Sequence, residues 1–375
     1  MSVAMSKPAR SETAKRPVGE ITSEALPLPP FPVETPCFVI LEDAVLHNLR
    51  RTADAAGGIE RLMPHIKTHR APWLIEMMLA EGVQAFKAAT PAEVEIAAAA
   101  GAPTVVWAYP TVNTLSIARV ARAARAHPHV RIGALVDSPE GAEAWLKELA
   151  APAPNLHLRV DLDPGLGRTG VAIGSAAHDL ALTLQAAKVF EGWHAYDGHI
   201  SDPERAQRVA RVSELVVRLR GFLARADELG LEGDLIAGGS YSFDLWPKDL
   251  ARWVSPGSWT YSSAQHDRDL VEFGWQIAGY VLATVLSVRS GTATLDAGSK
   301  AISPDIPLAD RFRGPGPIRL MKEEHVVIAT DRLAVGQQVA LIPRHACTAA
   351  YLYDRALVRT RDGRWDYRAQ LGASR

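Results

Sequence analysis

The sequence predicts an α/β protein in which a TIM-like (β/α)8 barrel is followed by a C-terminal antiparallel β-domain. Between about residues 60 and 259, short apolar runs alternate with alanine- and leucine-rich helical stretches. Continuous apolar runs separated by helices are typical of parallel strands buried on both faces. No glycine-rich dinucleotide turn follows the first run, which disfavours an open doubly wound sheet. After Trp259 the segments become short and rich in β-branched residues, as in a small antiparallel sheet.

Eight strand-and-helix units account for the predicted barrel. The predicted strands cover residues 61–65, 83–88, 104–108, 130–136, 156–162, 190–196, 235–237 and 253–254. Because a barrel builds its active site from the loops that follow its strands, the residues just past these ends are the candidates for chemistry.

The chain divides into three predicted parts. Residues 1–32 are rich in Ser, Lys, Arg, Glu and Pro and form a flexible leader that lacks the apolar segment of a secretory signal. Residues 33–259 form the barrel and residues 260–375 the β-domain, and residues 33–41 are a further strand that could join the β-domain sheet. The predicted β-domain strands cover residues 277–288, 292–295, 325–328, 338–342 and 357–361.

Composition restricts the function classes. Of 375 residues, 47% are hydrophobic and 22% are charged, and the formal net charge of −1 does not indicate a nucleic-acid-binding surface. No apolar stretch reaches the ~18 residues of a membrane span. Two cysteines are too few for a disulfide framework and fit a reducing compartment. Composition thus indicates a cytoplasmic protein with no nucleic-acid or membrane partner. Apart from composition, we also expect a small-molecule substrate and a homodimer.

Lys67 is the strongest candidate for catalysis. It lies in Pro64-His65-Ile66-Lys67-Thr68-His69, just after the first predicted strand. A lysine placed there can be partly desolvated, which lowers its pKa and makes it a Schiff-base nucleophile. A solvated loop lysine between two surface histidines is the alternative interpretation of this segment alone.

Glycine–serine pairs follow the last two predicted strands, in Gly238-Gly239-Ser240 and Gly257-Ser258. Glycines let backbone N–H groups approach an anion closely, and these two loops form the common phosphate site of barrel enzymes. A plain tight turn would explain either pair by itself. Both pairs together with a first-strand lysine indicate a phosphorylated aldehyde cofactor, and pyridoxal 5′-phosphate (PLP) has both groups.

His345 and Cys347 are the candidate metal ligands in the β-domain, within Pro343-Arg344-His345-Ala346-Cys347. In an extended strand, residues i and i+2 share a face, so the imidazole and the thiolate could bind one metal ion together. This donor pair suits zinc and leaves positions for water and substrate. A half-buried histidine beside a small apolar cysteine is the structural alternative.

The motifs together resemble the D-threonine aldolase / eukaryotic-type D-serine dehydratase family, whose members are fold-type III PLP enzymes built like alanine racemase. The resemblance extends from Thr35 to about Asp354. Its motifs are Pro64-His-Ile-Lys-Thr-His69, Lys87-Ala-Ala-Thr90, Asp163-Pro-Gly-Leu-Gly-Arg168-Thr-Gly170, Tyr196-Asp-Gly-His199, Gly238-Gly-Ser240, Pro256-Gly-Ser258, Asp296-Ala-Gly298, Glu323-Glu-His325 and Pro343-Arg-His-Ala-Cys347.

The resemblance implies a role for each matching residue. Lys67 would carry PLP as a Schiff base, and Arg168 and Tyr196 would contact its pyridine ring. His345 and Cys347 would bind a divalent metal, zinc in preference to manganese or magnesium, beside the β-hydroxyl of the substrate. The phosphate would be held by Gly239, Ser240, Gly257 and Ser258.

The resemblance also implies a lyase that acts on D-3-hydroxy amino acids such as D-serine, D-threonine or 3-hydroxy-D-aspartate. Aldolases of the family usually carry His-x-Asp at the metal and a second histidine at the position of Asp202, whereas dehydratase-like members carry His-x-Cys. We therefore expect β-elimination to a keto acid and ammonia, with retro-aldol cleavage to glycine and an aldehyde as the alternative. A racemase with Tyr351 or Tyr353 as a second proton donor stays open, as does a non-catalytic PLP carrier, although a single-barrel carrier needs no β-domain.

Overall fold

The computed structural model describes residues 22–374. Its first strand, β1 (Cys37–Leu41), belongs to the sheet of the β-domain and leads into the first helix. The helices are α1 (Glu42–Ala56), α2 (Pro72–Ala80), α3 (Pro91–Ala99), α4 (Thr114–Ala126), α5 (Pro139–Glu148), α6 (Ser175–Ala186), α7 (Arg205–Glu228), α8 (Ala264–Asp269) and α9 (Ala346–Ala350). No helix among the described residues is long and apolar enough to cross a membrane.

The parallel strands form the predicted barrel, with helices between them. They are β2 (Ala85–Ala88), β3 (Thr104–Trp107), β4 (Arg131–Val136), β5 (Leu156–Asp163), β6 (Val171–Ala172), β7 (Phe190–Ala195), β8 (Asp234–Ala237) and β9 (Trp253–Val254). The order of pairing is β2-β3-β4-β5-β7-β8-β9, and the short β6 pairs only with β5. The predicted TIM-like barrel with a C-terminal β-domain is therefore confirmed.

The first predicted strand, residues 61–65, is not a regular strand. Arg61 ends a 3₁₀ turn, and the chain then makes two isolated bridges, from Leu62 to Val254 and from His65 to Lys87. Pro64 explains the irregularity, because it has no N–H with which to continue a ladder. The segment still closes the barrel, since it contacts the last strand on one side and β2 on the other.

Side-chain caps mark where several barrel strands give way to helices. Thr90 and Ser138 each accept a backbone N–H at 3.2 Å, from Glu93 and Gly141, and each precedes a proline at the first position of the helix. Such caps satisfy N–H groups that the first turn leaves free, and proline there costs no hydrogen bond. The loops between strand and helix are consequently short and fix the residues at the barrel mouth.

The β-domain is antiparallel apart from the pairing of β1 with β16. Its strands after the barrel are β10 (Gly279–Arg289), β11 (Thr292–Leu295), β12 (Phe312–Arg313), β13 (Ile318–Met321), β14 (Val326–Ala329), β15 (Gln338–Pro343), β16 (Arg355–Arg359) and β17 (Trp365–Ala369). β1 lies between β10 and β16, so a strand from the start of the described chain lies inside the sheet of its C-terminal part.

The predicted flexible leader differs from the structure over residues 22–32, and residues 1–21 lie outside the described part. Leu26 is buried in one apolar cluster with Val39 and Leu282, and the Tyr280 hydroxyl donates to the carbonyl of Pro27. Apolar residues among the prolines make this packing contact. The polar composition of residues 1–32 as a whole did not predict it.

Candidate functional site

Lys67 lies at the barrel mouth on a single 3₁₀ turn, Ile66–Thr68, directly after the irregular first segment. The turn begins where the His65 imidazole accepts the Lys67 backbone N–H at 3.4 Å. Burial, reinforced by the charges of Lys67 and Lys87, holds the pKa of His65 well below its usual value. Burial also lowers the pKa of His69 to about 3. Both flanking histidines are therefore neutral, and neither lies on the surface.

The Lys67 side chain itself is exposed, in contrast to the expected partial desolvation. The desolvated lysine of the site is Lys87 on β2, which is 3% exposed. Burial, together with the charge of Lys67, lowers the pKa of Lys87 to about 7. The cause of the difference is geometric: Lys67 follows the strand end and extends into the open mouth, whereas Lys87 points inward from within a strand.

The two glycine–serine loops converge on one hydroxyl group. Ser240 Oγ accepts the backbone N–H groups of Gly257 at 3.4 Å and Ser258 at 3.2 Å. A Cβ on Gly257 would come within 2.9 Å of the His65 carbonyl oxygen, so only glycine allows this approach to the Lys67 loop. Two N–H donors of the second loop thus point at one hydroxyl of the first loop, which itself has a proton to donate to an anion.

Gly239 contributes to these loops differently from its predicted role. Its N–H donates to Asp197 Oδ1 and is also 3.0 Å from Ser242 Oγ, so this donor is already used inside the loop. A Cβ on Gly239 would lie 3.1 Å from the ring of Tyr196. Gly239 therefore makes room for the Tyr196 ring and orders the loop.

Tyr196 and Arg168, the two residues predicted to contact the pyridine ring, lie beside each other. The Arg168 guanidinium carbon lies 5.2 Å from the centroid of the Tyr196 ring, and Lys87 Nζ lies 5.3 Å from the same centroid. The ring is half-buried and the guanidinium is exposed, so both border the mouth. Two cations against one electron-rich ring form a positively charged wall beside the Lys67 loop.

A buried Asp–His pair lies in the interior of the barrel below this wall. His194 Nδ1 on β7 is 2.6 Å from Asp161 Oδ1 on β5, and His194 Nε2 is buried without a partner among the described atoms. Burial, with the charge of Lys87, lowers the pKa of His194 to about 4. The sequence carries a signal for this layer. β5 reads Leu-His-Leu-Arg-Val-Asp-Leu-Asp, whose strict alternation gives one face of that strand only polar side chains.

His345 and Cys347 approach each other, although not on an extended strand. β15 ends at Pro343, and His345 is the N-cap of the short helix α9, which contains Cys347. Their side chains are hydrogen-bonded, which raises the pKa of His345 to about 9. Burial acts against ionisation of Cys347, but the His345 hydrogen bond and charge hold the thiol pKa below its usual value. A divalent cation that binds this pair would displace the shared proton into solvent.

The candidate metal ligands are joined to the Lys67 loop. Cys347 Sγ lies 3.3 Å from Thr68 Oγ1, one residue after Lys67. Tyr261 is fully buried, and its hydroxyl has no hydrogen-bond partner among the described atoms. Burial raises the pKa of this hydroxyl, and the nearby charge of Cys347 raises it further. The described residues contain no cluster of three or more His, Cys, Asp or Glu able to hold a metal, so this pair would leave the other coordination positions to water or substrate.

Three further residues of the sequence analysis have other partners. The hydroxyl of Tyr353 donates to the Ala301 carbonyl at 3.0 Å, and that of Tyr351 to the Ala373 carbonyl at 3.3 Å. Asp202 pairs with Arg211 on α7 at 2.8 Å. Both tyrosine hydroxyls therefore have a carbonyl partner within this chain.

Comparison with protein families identifies the fold family. The model of the alanine racemase N-terminal domain matches residues 40–265, more than half of the chain. The chain belongs to this family. A second family model, that of a serine dehydratase domain, matches residues 278–359 of the same chain. The resemblance predicted from the motifs is confirmed.

Individual proteins similar to this chain include aldolases and a dehydratase. A 3-hydroxy-D-aspartate aldolase of Paracoccus denitrificans is 25% identical over 343 residues, covering 86% of this chain and 87% of the relative. The D-threonine aldolase structure from Filomicrobium marinum gives a TM-score of 0.82 at 24% identity, covering 91% and 96% of the two chains. D-threo-3-hydroxyaspartate dehydratase from Delftia sp. HT23 gives 0.77 at 21% identity, covering 90% and 98%.

The residues at the mouth fit PLP, the cofactor that the family implies. An amine reaches the open mouth, and hydroxyl and N–H groups from two loops converge beside it. Ser255, directly before the second of these loops, has a buried hydroxyl without a partner among the described atoms. The fit is chemical: a nucleophile for the aldehyde and a cradle for the phosphate lie at one end of the barrel, while the thiol–imidazole pair fits a soft divalent metal.

Proposed function

We propose that the protein is a PLP- and divalent-metal-dependent lyase of D-3-hydroxy amino acids that catalyses β-elimination to a keto acid and ammonia. The observation that carries the proposal is the contact between Cys347 and Thr68, at 3.3 Å. It brings the candidate metal ligands and the candidate cofactor lysine to the same opening, so a single substrate can contact both.

Each element of the site has a chemical task in this proposal. PLP bound at Lys67 would act as an electron sink for the charge left on Cα when a bond to it breaks. Ser240, Gly257 and Ser258 would hold the phosphate and orient the ring. His345 and Cys347 would hold a Lewis-acidic metal against the β-oxygen, since hydroxide is a poor leaving group without one.

Two features favour elimination over aldol cleavage. The metal donor beside His345 is a thiol, as in the dehydratase-like members of the family, and Asp202 stands where aldolases tend to carry a histidine. Among solved structures with this fold are a Cys→Ala mutant of D-threo-3-hydroxyaspartate dehydratase in the metal-free form and a His→Ala mutant of D-threo-3-hydroxyaspartate dehydratase. Those two substituted positions are two residues apart, the spacing of His345 and Cys347.

Retro-aldol cleavage to glycine and an aldehyde is the second candidate, and the names of the Paracoccus relatives favour it. A metal on the β-oxygen supports either reaction, because it can stabilise a departing hydroxide or lower the pKa of the β-hydroxyl. The position of the base decides between them. The engaged hydroxyls of Tyr351 and Tyr353 count against a racemase, and the large β-domain counts against a non-catalytic carrier.

One assay panel tests the proposal. D-serine, D-threonine and both diastereomers of 3-hydroxy-D-aspartate are incubated with the PLP- and zinc-loaded protein, and keto acid, ammonia, glycine, aldehyde and L-isomer are quantified in parallel. We expect keto acid and ammonia in equal amounts for at least one substrate. Glycine as the main product from every substrate would establish the aldolase instead, and L-isomer alone would refute a lyase. The homodimer and the cytoplasmic location remain predictions, the former open to light scattering.

A further inference from the structure

Lys87 is a buried lysine whose amine has no anionic partner among the residues that the structure describes. The residue is 3% exposed, and its Nζ makes no hydrogen bond or ion pair with any residue in the range 22–374. Its recorded contact is with the face of the Tyr196 ring, 5.3 Å from Nζ to the centroid. An unpaired buried amine costs folding free energy, so a structural role does not explain it.

The carboxylates nearest to Lys87 are engaged with other groups. Asp161 accepts from Thr169 Oγ1 at 3.1 Å through one oxygen and contacts His194 at 2.6 Å through the other. Asp197 accepts from the N–H of Gly239 and from Trp246 Nε1, each at 3.0 Å. Each of the four oxygens thus already has a partner, and neither carboxylate forms an ion pair with Lys87.

The other charges that face Lys87 are positive. Lys67 and Arg168 both act on it, and burial lowers its pKa to about 7 although Asp161 and Asp197 oppose this shift. The neighbouring imidazoles of His65 and His194 have pKa values held low by burial, so they are neutral and cannot act as the anion. Among the described residues, this amine therefore lacks an anion with which to form an ion pair.

We propose that Lys87 binds an anionic oxygen that the cofactor or the substrate brings into the site. The inference rests on the proposed function, because it takes its ligand from the PLP and hydroxy amino acid bound there. PLP carries a ring oxygen on the carbon next to the one that bears its aldehyde group, and a 3-hydroxyaspartate substrate carries a second carboxylate. Either oxygen would complete the ion pair that the protein leaves open.

The test compares Lys87→Met, which keeps the side-chain volume without the charge, with Lys87→Gln. Lys147→Met, on the exposed face of α5, is the matched control. We expect the Lys87→Met apoenzyme to unfold at a higher urea concentration than wild type, because an unpaired buried amine has been removed. A lysine with a structural role would give the opposite shift.

Two further measurements identify the source of the oxygen. If it belongs to the cofactor, PLP Kd rises about tenfold to hundredfold in Lys87→Met, the range of a charge-assisted hydrogen bond. If it belongs to the substrate, PLP Kd stays constant and KM rises by a similar factor for 3-hydroxy-D-aspartate but not for D-serine. Unchanged PLP Kd and KM values in both Lys87 variants would overturn the inference. Wild-type protein that binds no PLP would instead refute the proposed function.

Discussion

Nδ1 of His345 lies 2.8 Å from Oδ2 of Asp305, a residue of the loop between β11 and β12. The imidazole therefore stands between the carboxylate of Asp305 and the thiol of Cys347. A carboxylate that holds one ring nitrogen of a metal-binding histidine fixes its tautomer and orientation and makes the other nitrogen more basic. Asp305 thus positions a candidate metal ligand from outside the coordination sphere.

Replacing Asp305 by Asn should weaken metal binding about 10- to 100-fold, the usual effect of losing such a partner. Titration of metal-free protein with Co²⁺ or Zn²⁺ in the presence of a competing chelator measures the affinity directly. Asp310→Asn is the control, because Asp310 lies in the same loop and pairs with Arg344 at 3.7 Å. Equal metal affinities for the two variants would show that Asp305 does not act on the metal site.

Chelation should abolish turnover and leave the visible absorption band of bound PLP in place, because the proposed cofactor and metal ligands are separate residues. His345→Ala and Cys347→Ala should each lose metal and activity together while retaining PLP. Metal content is measured by mass spectrometry and PLP by absorbance near roughly 420 nm. Full activity of a preparation shown to be metal-free would contradict this prediction.

Borohydride reduction of the PLP-loaded protein should place the label on the peptide that contains Lys67. Lys67 is the amine at the open mouth, whereas Lys87 is buried and Lys300 is engaged with Glu324 at 2.8 Å. Peptide mass spectrometry locates the label, and Lys67→Ala should abolish it. Label on Lys87 or Lys300 in the wild-type protein would reassign the cofactor lysine.

Stability should fall as the pH is lowered from about 6.5 towards 4. Burial lowers the pKa of His69 to about 3 and that of His194 to about 4, from the usual 6.5. Below pH 6.5 these residues take up protons in the unfolded chain but not in the folded one. The stability that is fully present above pH 6.5 is therefore lost progressively as the pH falls towards the pKa values of the folded state. The slope should approach about 1.4 kcal/mol per pH unit for each histidine.

Urea unfolding at pH 7.5, 6.0 and 5.0 measures this slope. In the wild-type chain the Ala71 N–H donates to His69 Nδ1 at 3.1 Å. His69→Asn preserves an acceptor for this N–H and should make the slope shallower. His129→Asn, at an exposed position, should leave it unchanged. Identical slopes for the two variants would mean that buried His69 is not the source.

The barrel and the mouth residues were predictable because each depends on local pattern. The apolar runs located the strands, and strand ends located Lys67, Tyr196 and the glycine–serine loops. The first segment was mispredicted as a regular strand because its apolar residues were given more weight than Pro64, whose missing N–H interrupts the ladder. Likewise, the extended geometry assumed for His345 and Cys347 fails because β15 ends at Pro343 and a helix begins.

Other parts of the site required three-dimensional contacts. Asp305 lies 40 residues before His345 in the chain, and Cys347 meets Thr68 across 279 residues, so no local spacing links either pair. Lys87 appeared in a motif, but its inward direction and lack of a partner depend on packing from the other strands. The alternation in β5 shows that part of the polar interior was predictable from sequence, had polar residues within the strands been considered as well as those at the strand ends.

Two isolated bridges, at Leu62 and His65, form the joint that closes the barrel, in place of a regular strand. Lys67 follows one side of this joint, and Gly257 and Ser258 follow the other. A ligand attached to Lys67 and held by Ser258 would cross-link the two sides, so that binding and barrel closure become one event. Amide exchange at residues 62–65 should then be the most ligand-sensitive in the barrel, and cofactor loss the first step of its opening.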